Sequence, residues 1–499
     1  MMAGDTAMQR YSLYIDGERC DSASGQWFNS DNPFTGAPWA QIARGNAADV
    51  DRAVRAAHRA FSSGAWKDLT PSARGQLLYR LADRITEHAS RLAEIEVRDN
   101  GKLYAEMHGQ LQYLPQWYRY YGGLADKIQG DVVPLDKKGY FNYTRREPLG
   151  VTAIITPWNS PLMLLTWKLA PALAAGCTVV IKPSEFTSAS TLEFVALLDE
   201  VGFPRGVVNV VTGFGNEVGS ELVSHPLVRK ITFTGADATG RRINEQAARD
   251  FKHVGLELGG KSPNIVFDDA NLDDAVNGAV SGIFAATGQT CIAGSRLLVQ
   301  SGVHDEVVER VVALAKTARM GDPMDAGTQV GPITTPPQYE KVLHYIGIAQ
   351  AEGAGLALGG KAASRDECAN GWFVEPTIFT GVRNDMRIAQ EEVFGPVLSV
   401  IRFDTEDEAV AIANDVRFGL GAGVWTSDIG RAFRMAERIE SGTVWVNTYR
   451  AVSYMSPFGG YKDSGLGREN GIDAINEYLQ TKSVWINTGA ATGNPFVLR

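Results

Sequence analysis

The feature that most constrains the fold is an alternation of apolar strand and helix that begins at Gly150. Apolar, β-branched runs fall at 151–155, 178–181, 207–211, 231–233 and 253–256, separated by helical spacing at 162–174, 188–201 and 240–249. Strands buried on both faces read as continuous apolar runs, and helices between them act as crossovers, so the pattern predicts a parallel, doubly wound α/β sheet. Such sheets bind ligands at the carboxyl ends of their strands. Here the ends read Pro157-Trp158-Asn159, Lys182-Pro183-Ser184-Glu185, Thr212-Gly213-Phe214-Gly215, Thr234-Gly235 and Glu257-Leu258-Gly259-Gly260, which gathers polar and glycine residues on one edge.

The flanking sequence is organised differently. Residues 47–61 and 71–98 carry apolar residues at three- and four-residue spacing, with Pro71 placed for a first helical turn after Thr70, so the first third reads as mostly helical. Residues 128–149 switch to alternation, with 140–144 as a strand outside the helical layer. Beyond Lys261 a second α/β region starts with a strand at 264–267 and a helix at 272–286 and runs to about Gly460. One more strand is predicted at 482–487, followed by a loose tail. A chain of 499 residues has room for two to four domains.

Composition narrows the function classes. A net charge of −9 with no basic block opposes a phosphate backbone, so nucleic acid is not an expected partner. The apolar stretches at 161–181 and 275–294 are interrupted by Lys168, Pro171, Asn277 and Gln289, which suits buried segments rather than membrane spans. The first residues, MMAGDTAMQRYSLYIDGE, lack an apolar secretory core, and four cysteines cannot make a disulfide framework, so a reducing, cytoplasmic setting is expected. Seven scattered histidines with no metal-ligand spacing predict no metal site.

Two residues stand out chemically. Cys291 lies in a glycine-rich turn between Gly288 and Gly294, whereas Cys177 reads as an inert core thiol beside a buried strand. No histidine neighbours Cys291 in sequence, which weakens a papain-like reading. Glu257 closes an apolar strand beside glycines, surroundings that raise a carboxyl pKa toward the range of a general base. No GxGxxG follows the first strand; instead FTGADATG at 233–240 sets two glycines five residues apart across a strand-to-helix turn, where backbone can approach a pyrophosphate.

Together these segments resemble the aldehyde dehydrogenase superfamily over nearly the whole chain, residues 14–487. The resemblance rests on PWNSP at 157–161, KPSE at 182–185, FTGADATG at 233–240, LELGGKSPNIV at 256–266, GQTCIAGSR at 288–296, EEVFGPV at 391–397 and SPFGGYKDSGLGRE at 456–469, in the family's order. It implies a Rossmann-like NAD-binding domain (residues 1–127 and 149–259), an α/β catalytic domain (260–470), and a small β oligomerisation arm with C-terminal tail (128–148 and 471–499).

The resemblance also implies roles. Cys291 would be the nucleophile, with Asn159 and the Cys291 backbone N–H as oxyanion hole, Glu257 as the base that activates the hydrolytic water, and Lys168 and Glu469 as a proton relay. Glu257 points to the hydrolytic branch rather than the branch that passes its thioester to coenzyme A. Cofactor contacts would come from Ile155, Thr156, Pro157, Trp158, Lys182, Ser184, Glu185, Gly215, Phe233, Thr234, Gly235, Ala236, Leu258, Gly259, Glu392 and Phe394. Ionised Glu185 would repel a ribose 2′-phosphate and favour NAD, although some relatives with this glutamate accept NADP. The substrate pocket would be formed by Ser160, Met163, Leu164, Trp167, Phe284, Thr290, Ile292, Arg450, Tyr454, Met455 and Phe458, an apolar and partly aromatic slot for a medium-sized aliphatic or aromatic aldehyde, with or without a polar or acidic far end.

The chain departs from the family at four places. Ser160 replaces a bulky aromatic, Ala236 replaces a serine, and Trp167 stands where related semialdehyde enzymes carry a carboxylate-binding arginine. The segment Phe284-Ala285-Ala286-Thr287 also lacks an arginine. Arg450 has two readings, a surface salt bridge or a partner for a polar group on the substrate. Alternatives to the hydrolytic enzyme are a silent structural homologue, an NADP-preferring semialdehyde dehydrogenase, and a thiolate esterase. A homodimer or homotetramer is expected, with the arm covered by a partner chain.

Overall fold

The helices begin where the sequence supplies caps. Thr70 accepts a hydrogen bond from the Ala73 N–H and Pro71 opens the helix Pro71–Asn100; Asn46 and Asp49 close a reciprocal capping box on the helix Ala47–Ser62. The structure, a computed structural model, describes residues 8–368, 370–494 and 496; the end of the predicted tail and the first seven residues lie outside the described residues.

Five parallel strands form the core of an eight-stranded sheet in the spatial order His253–Glu257, Val228–Thr234, Val151–Ile155, Thr178–Lys182, Val208–Val210. The chain moves outward from Val151–Ile155 on one side, then returns to the other, so the order reverses between Val151–Ile155 and Val228–Thr234. That reversal opens a crevice at the carboxyl ends of these two strands, the place where open α/β sheets take their ligands.

The first third differs from its helical expectation. Five strands, Gln9–Tyr11, Leu13–Ile15, Glu18–Cys20, Trp27–Asn32 and Ala37–Ala43, precede the first helix. Leu13–Ile15 is fully buried and extends the large sheet antiparallel to Val208–Val210. Strands of three residues are too short to show a period, and the tertiary sheet edge defines them. The helix expected at 188–201 is two helices, Ala189–Phe194 and Ala196–Val201.

A second, seven-stranded sheet runs Gly355–Leu358, Thr377–Thr380, Val397–Phe403, Arg296–Gln300, Pro263–Val266, Gly421–Trp425, Thr443–Val446, parallel except at the first pair. The two α/β units are tied by Gly465–Leu466, which pairs antiparallel with Leu256 and Glu257 and thereby extends the first sheet. Tyr140–Pro148 and Leu479–Asn487 form a separate two-stranded arm in continuous antiparallel register, with Trp485 and Ile486 about half exposed. An isolated two-stranded ribbon has little stability of its own.

Candidate active site

The crevice holds a cavity of about 110 Å³ lined by the two strand ends that define it: Pro157, Trp158 and Asn159 from one, Thr234, Gly235 and Ala236 from the other. Leu258, Gly259, Leu164, Cys291, Glu392 and Phe394 complete most of the wall. The motifs that are far apart in sequence therefore meet at one place.

The Cys291 loop is built by constraint. The helix expected at 272–286 ends at Phe284, because Ala286 and Thr287 take left-handed φ values of 53° and 55°. Such values cost roughly 1–3 kcal/mol per non-glycine residue and persist only when neighbours enforce them. Here Glu106 Oε1 accepts from the Ala286 N–H at 2.8 Å, and the Thr287 hydroxyl donates to the Gly331 carbonyl at 3.1 Å. Gly288, at φ 69°, packs so tightly that a Cβ would fall 2.1 Å from the Gly395 carbonyl oxygen. Buried Gln289 pins the loop by donating to the Pro332 carbonyl at 3.2 Å and accepting from the Thr334 N–H at 2.9 Å.

Asn159 Nδ2 donates to the Gln289 carbonyl at 3.0 Å. An amide nitrogen has two donors, so this bond fixes the group and leaves its second N–H available beside Cys291. Burial pushes the Cys291 thiol up to about 12, and the charges of Glu257 and Glu392 add to the shift. The thiol is therefore protonated at neutral pH and needs a base for its proton. Burial, then the nearby Glu469, hold the Glu257 carboxyl well above the usual carboxylate range. Among the described residues, neither Glu257 oxygen has a hydrogen-bond partner.

Behind Glu257 lies a cavity of about 10 Å³, room for about one water, lined also by Glu469, Lys230 and Tyr478. Lys168 is fully buried and its ammonium bridges Glu469 Oε1 at 2.6 Å and the Thr234 hydroxyl at 2.6 Å. A buried pair of this kind joins the carboxyl on the segment 456–469 to the strand end beside Gly235.

Two glycines of the cavity wall are required by close packing. A Cβ on Gly235 would meet the Phe233 ring at 2.5 Å, and one on Gly259 would meet Glu392 Oε2 at 2.6 Å. The helix Asp237–Ala248 starts at Ala236 with no side-chain cap, leaving backbone N–H groups directed to the crevice and suited to a phosphate. Glu392 Oε1 accepts from the Gly260 N–H at 3.0 Å, and burial raises its pKa. Phe394, at φ 58°, meets Trp158 edge-to-face at 5.2 Å.

At the far side, Lys182 reaches Glu185 at 3.3 Å and the Pro183 carbonyl at 3.0 Å, with its pKa lowered by burial. The Thr156 N–H donates to the Lys182 carbonyl at 3.1 Å, buried Ile155 supports it from the core, and the Ser184 carbonyl accepts from the Ser188 hydroxyl at 2.8 Å. A Cβ on Gly215 would meet nothing within 4 Å, so protein packing does not require a glycine there.

Met163, Leu164, Trp167, Ile292 and Phe458 share one buried cluster, against which Cys291 and Tyr454 pack. Trp117 stacks on Trp167 at 6.0 Å and meets Tyr454 at 5.6 Å, while Phe458 meets Trp167 edge-on at 5.1 Å. The Thr290 hydroxyl and Trp167 Nε1 are buried without partners among the described residues. Two expected wall residues are placed elsewhere. Phe284 belongs to the cluster around Ile283, Leu297 and Trp425, where the helix packs on the second sheet, and Met455 is 60% exposed. Arg450 makes no salt bridge among the described residues; it donates to the Ser281 carbonyl at 3.1 Å.

Sequence reasoning missed four residues. Gln338 and Lys341 line the cavity from the first turns of the helix Pro336–Ala351, and Gln338 Nε2 holds the carbonyls of Val393 at 2.8 Å and Phe394 at 2.9 Å. Trp117 stacks against the pocket, and Lys102 donates to the Ser160 hydroxyl at 3.1 Å. Thr335-Pro336, a capped helix start, was the available signal for the first two; nothing local marks the others.

Comparison with known proteins agrees with this geometry. A profile described as the aldehyde dehydrogenase family matches residues 20–484, and the chain belongs to that family. It is an oxidoreductase of the aldehyde dehydrogenase class. Among curated relatives, it is 47% identical over 495 residues, 99% of this chain and 100% of the other, to a (Z)-2-((N-methylformamido)methylene)-5-hydroxybutyrolactone dehydrogenase of Acinetobacter baylyi. Among solved structures, it matches betaine aldehyde dehydrogenase from Staphylococcus aureus in complex with NAD+ at 41% identity and a TM-score of 0.96, covering 98% of this chain and 97% of that one. An NAD+ complex of aldehyde dehydrogenase from Bacillus cereus matches at 44% identity and a TM-score of 0.94, covering 96% and 97%.

Proposed function

We propose that this chain oxidises an aldehyde to a carboxylic acid with NAD, through a covalent intermediate on Cys291. The observation that carries the reading is the convergence of Cys291, the Asn159 amide and the glycine-lined strand ends on one cavity at the sheet's switch point. Glu257 takes the thiol proton, and sulfur attacks the carbonyl carbon. The developing oxyanion receives the free N–H of Asn159 and the Cys291 backbone N–H, donors worth roughly 3–4 kcal/mol when one is removed. NAD, when bound, accepts the hydride that leaves the substrate carbon. The resulting thioester on Cys291 is hydrolysed by a water that gives its proton to Glu257, which releases the acid and restores the sulfur. Lys168 and Glu469 carry the thiol proton away from Glu257 before the water attacks, and afterwards carry away the proton taken from water.

Gly235, Ala236 and the amino end of Asp237–Ala248 would hold the pyrophosphate, Lys182 and Glu185 the adenosine ribose, and Glu392 with Phe394 the nicotinamide half. Gln338 keeps Phe394 in place. Residues 1–127 with 149–259 act as the cofactor domain, 260–470 as the catalytic domain, and the arm as an oligomer contact in a homodimer or homotetramer, supported by the exposed Trp485 and Ile486. The aromatic walls suit medium-sized aliphatic or aromatic aldehydes.

Formation of reduced nicotinamide with a panel of aldehydes tests the reading. Turnover with NAD is expected for several; no turnover with any aldehyde and either nicotinamide would overturn it. Glu185→Gln is expected to raise kcat/KM for NADP relative to NAD by about tenfold, since it removes a carboxylate facing the 2′-phosphate. An unchanged ratio would remove Glu185 from cofactor choice.

Thiol chemistry gives a second expected result. Because burial holds Cys291 up to about 12, its alkylation by iodoacetamide should accelerate with pH across pH 7–9, by about tenfold per unit while the thiol remains mostly protonated. A rate flat above pH 7 would mean an already ionised thiol.

A further inference from the structure

The wall near Cys291 holds a cation that the proposed reaction does not use. Lys102 follows the helix Pro71–Asn100 and is 2% exposed. Its ammonium donates to the Ser160 hydroxyl at 3.1 Å, and among the described residues no carboxylate lies within 4.0 Å of it. An ammonium has three donors, and a buried cation with one neutral partner is poorly compensated.

Two carboxylates lie near enough to act on Lys102, Glu106 first and then Glu96, and among the described residues neither comes within 4.0 Å of its ammonium. Glu106 Oε1 holds the Ala286 N–H at 2.8 Å, and Glu96 Oε1 holds the Leu162 N–H at 2.8 Å. Ser160, the ammonium's partner, is bonded in sequence to Asn159, which lines the cavity together with Cys291, so Lys102 stands directly behind that part of the wall. Ser160 directly follows Asn159 and is itself buried, which sets its hydroxyl beside the amide proposed to receive the oxyanion. A bulky aromatic at this position has no hydroxyl to receive the ammonium's hydrogen bond; serine has one.

Resting on the aldehyde reading above, we propose that Lys102 and the Ser160 hydroxyl recognise aldehydes that carry an oxygen acceptor, above all a carboxylate, a few bonds from the reacting carbonyl. Charge-assisted hydrogen bonds of this kind give selectivity as well as affinity. Arg450, which donates one hydrogen bond to the Ser281 carbonyl, is the competing cation that the test below separates from Lys102.

The test is kcat/KM for 4-oxobutanoate, its methyl ester and butanal in the wild-type protein, Lys102→Gln, Ser160→Phe and Arg450→Ala. The wild type is expected to favour 4-oxobutanoate over butanal by about tenfold or more, with the ester between them. Lys102→Gln and Ser160→Phe should bring that ratio close to one, while Arg450→Ala keeps it within about twofold. A wild-type ratio near one, or a ratio that survives Ser160→Phe, overturns the proposal; Ser160→Phe decides alone if Lys102→Gln does not fold. A ratio lost only in Arg450→Ala assigns the recognition to arginine instead. Oxidation of none of the three aldehydes contradicts the aldehyde reading itself, and this inference with it.

Discussion

Replacing Cys291 with alanine is expected to lower kcat by roughly 10⁵-fold, the scale seen when a covalent nucleophile is removed, while nicotinamide cofactor binding persists. The expectation follows from placement. Cys177 and Cys368 are buried away from the cavity, and Cys20 lies on the short strand Glu18–Cys20, with its pKa raised by burial. Cys291 alone among the four lines the cavity with Asn159, Thr234 and Glu392. No other thiol can substitute, so steady-state turnover and the first-turnover burst should vanish together. Stopped-flow measurement of reduced nicotinamide checks this; a variant that keeps even a hundredth of the wild-type burst would displace Cys291 from its role.

Glu257→Gln separates two chemical steps that Cys291→Ala cannot. Hydrolysis of the thioester needs a base to take a proton from water, and loss of a positioned general base costs roughly 10²–10⁴-fold. The glutamine keeps the side chain's shape beside Leu466 and Glu469 but cannot accept that proton. Turnover should therefore fall by about that factor, whereas a hydride-release burst near one per active site remains, given time for the slower thiol ionisation. Burst and steady state lost in equal measure would contradict the deacylation role.

Much of the first sheet was legible because its strands are buried on both faces and end in glycines and polar residues. Val151–Ile155 and His253–Glu257 fall within a residue of their expected bounds. The local sequence could not report features made by distant contacts. The strand Leu13–Ile15 exists because Val208–Val210 offers it an edge, and the helix before Cys291 stops at Phe284 because Glu106 and Gly331 hold Ala286 and Thr287 in left-handed backbone. Cys291 and Asn159, which line one cavity, and Glu257 beside it stand in motifs of their own, whereas Trp117 and Gln338 reach the same region from helices and Lys102 from the turn after one, with no motif to mark them.

The central claim, a thioester on Cys291 cleared by Glu257, is tested most directly by mass spectrometry of Glu257→Gln mixed with NAD and an aldehyde that the wild-type protein oxidises. An acyl group on the peptide carrying Cys291, absent when NAD is left out, is the predicted result. No adduct despite a hydride burst, or an adduct on Cys20, Cys177 or Cys368, would contradict it.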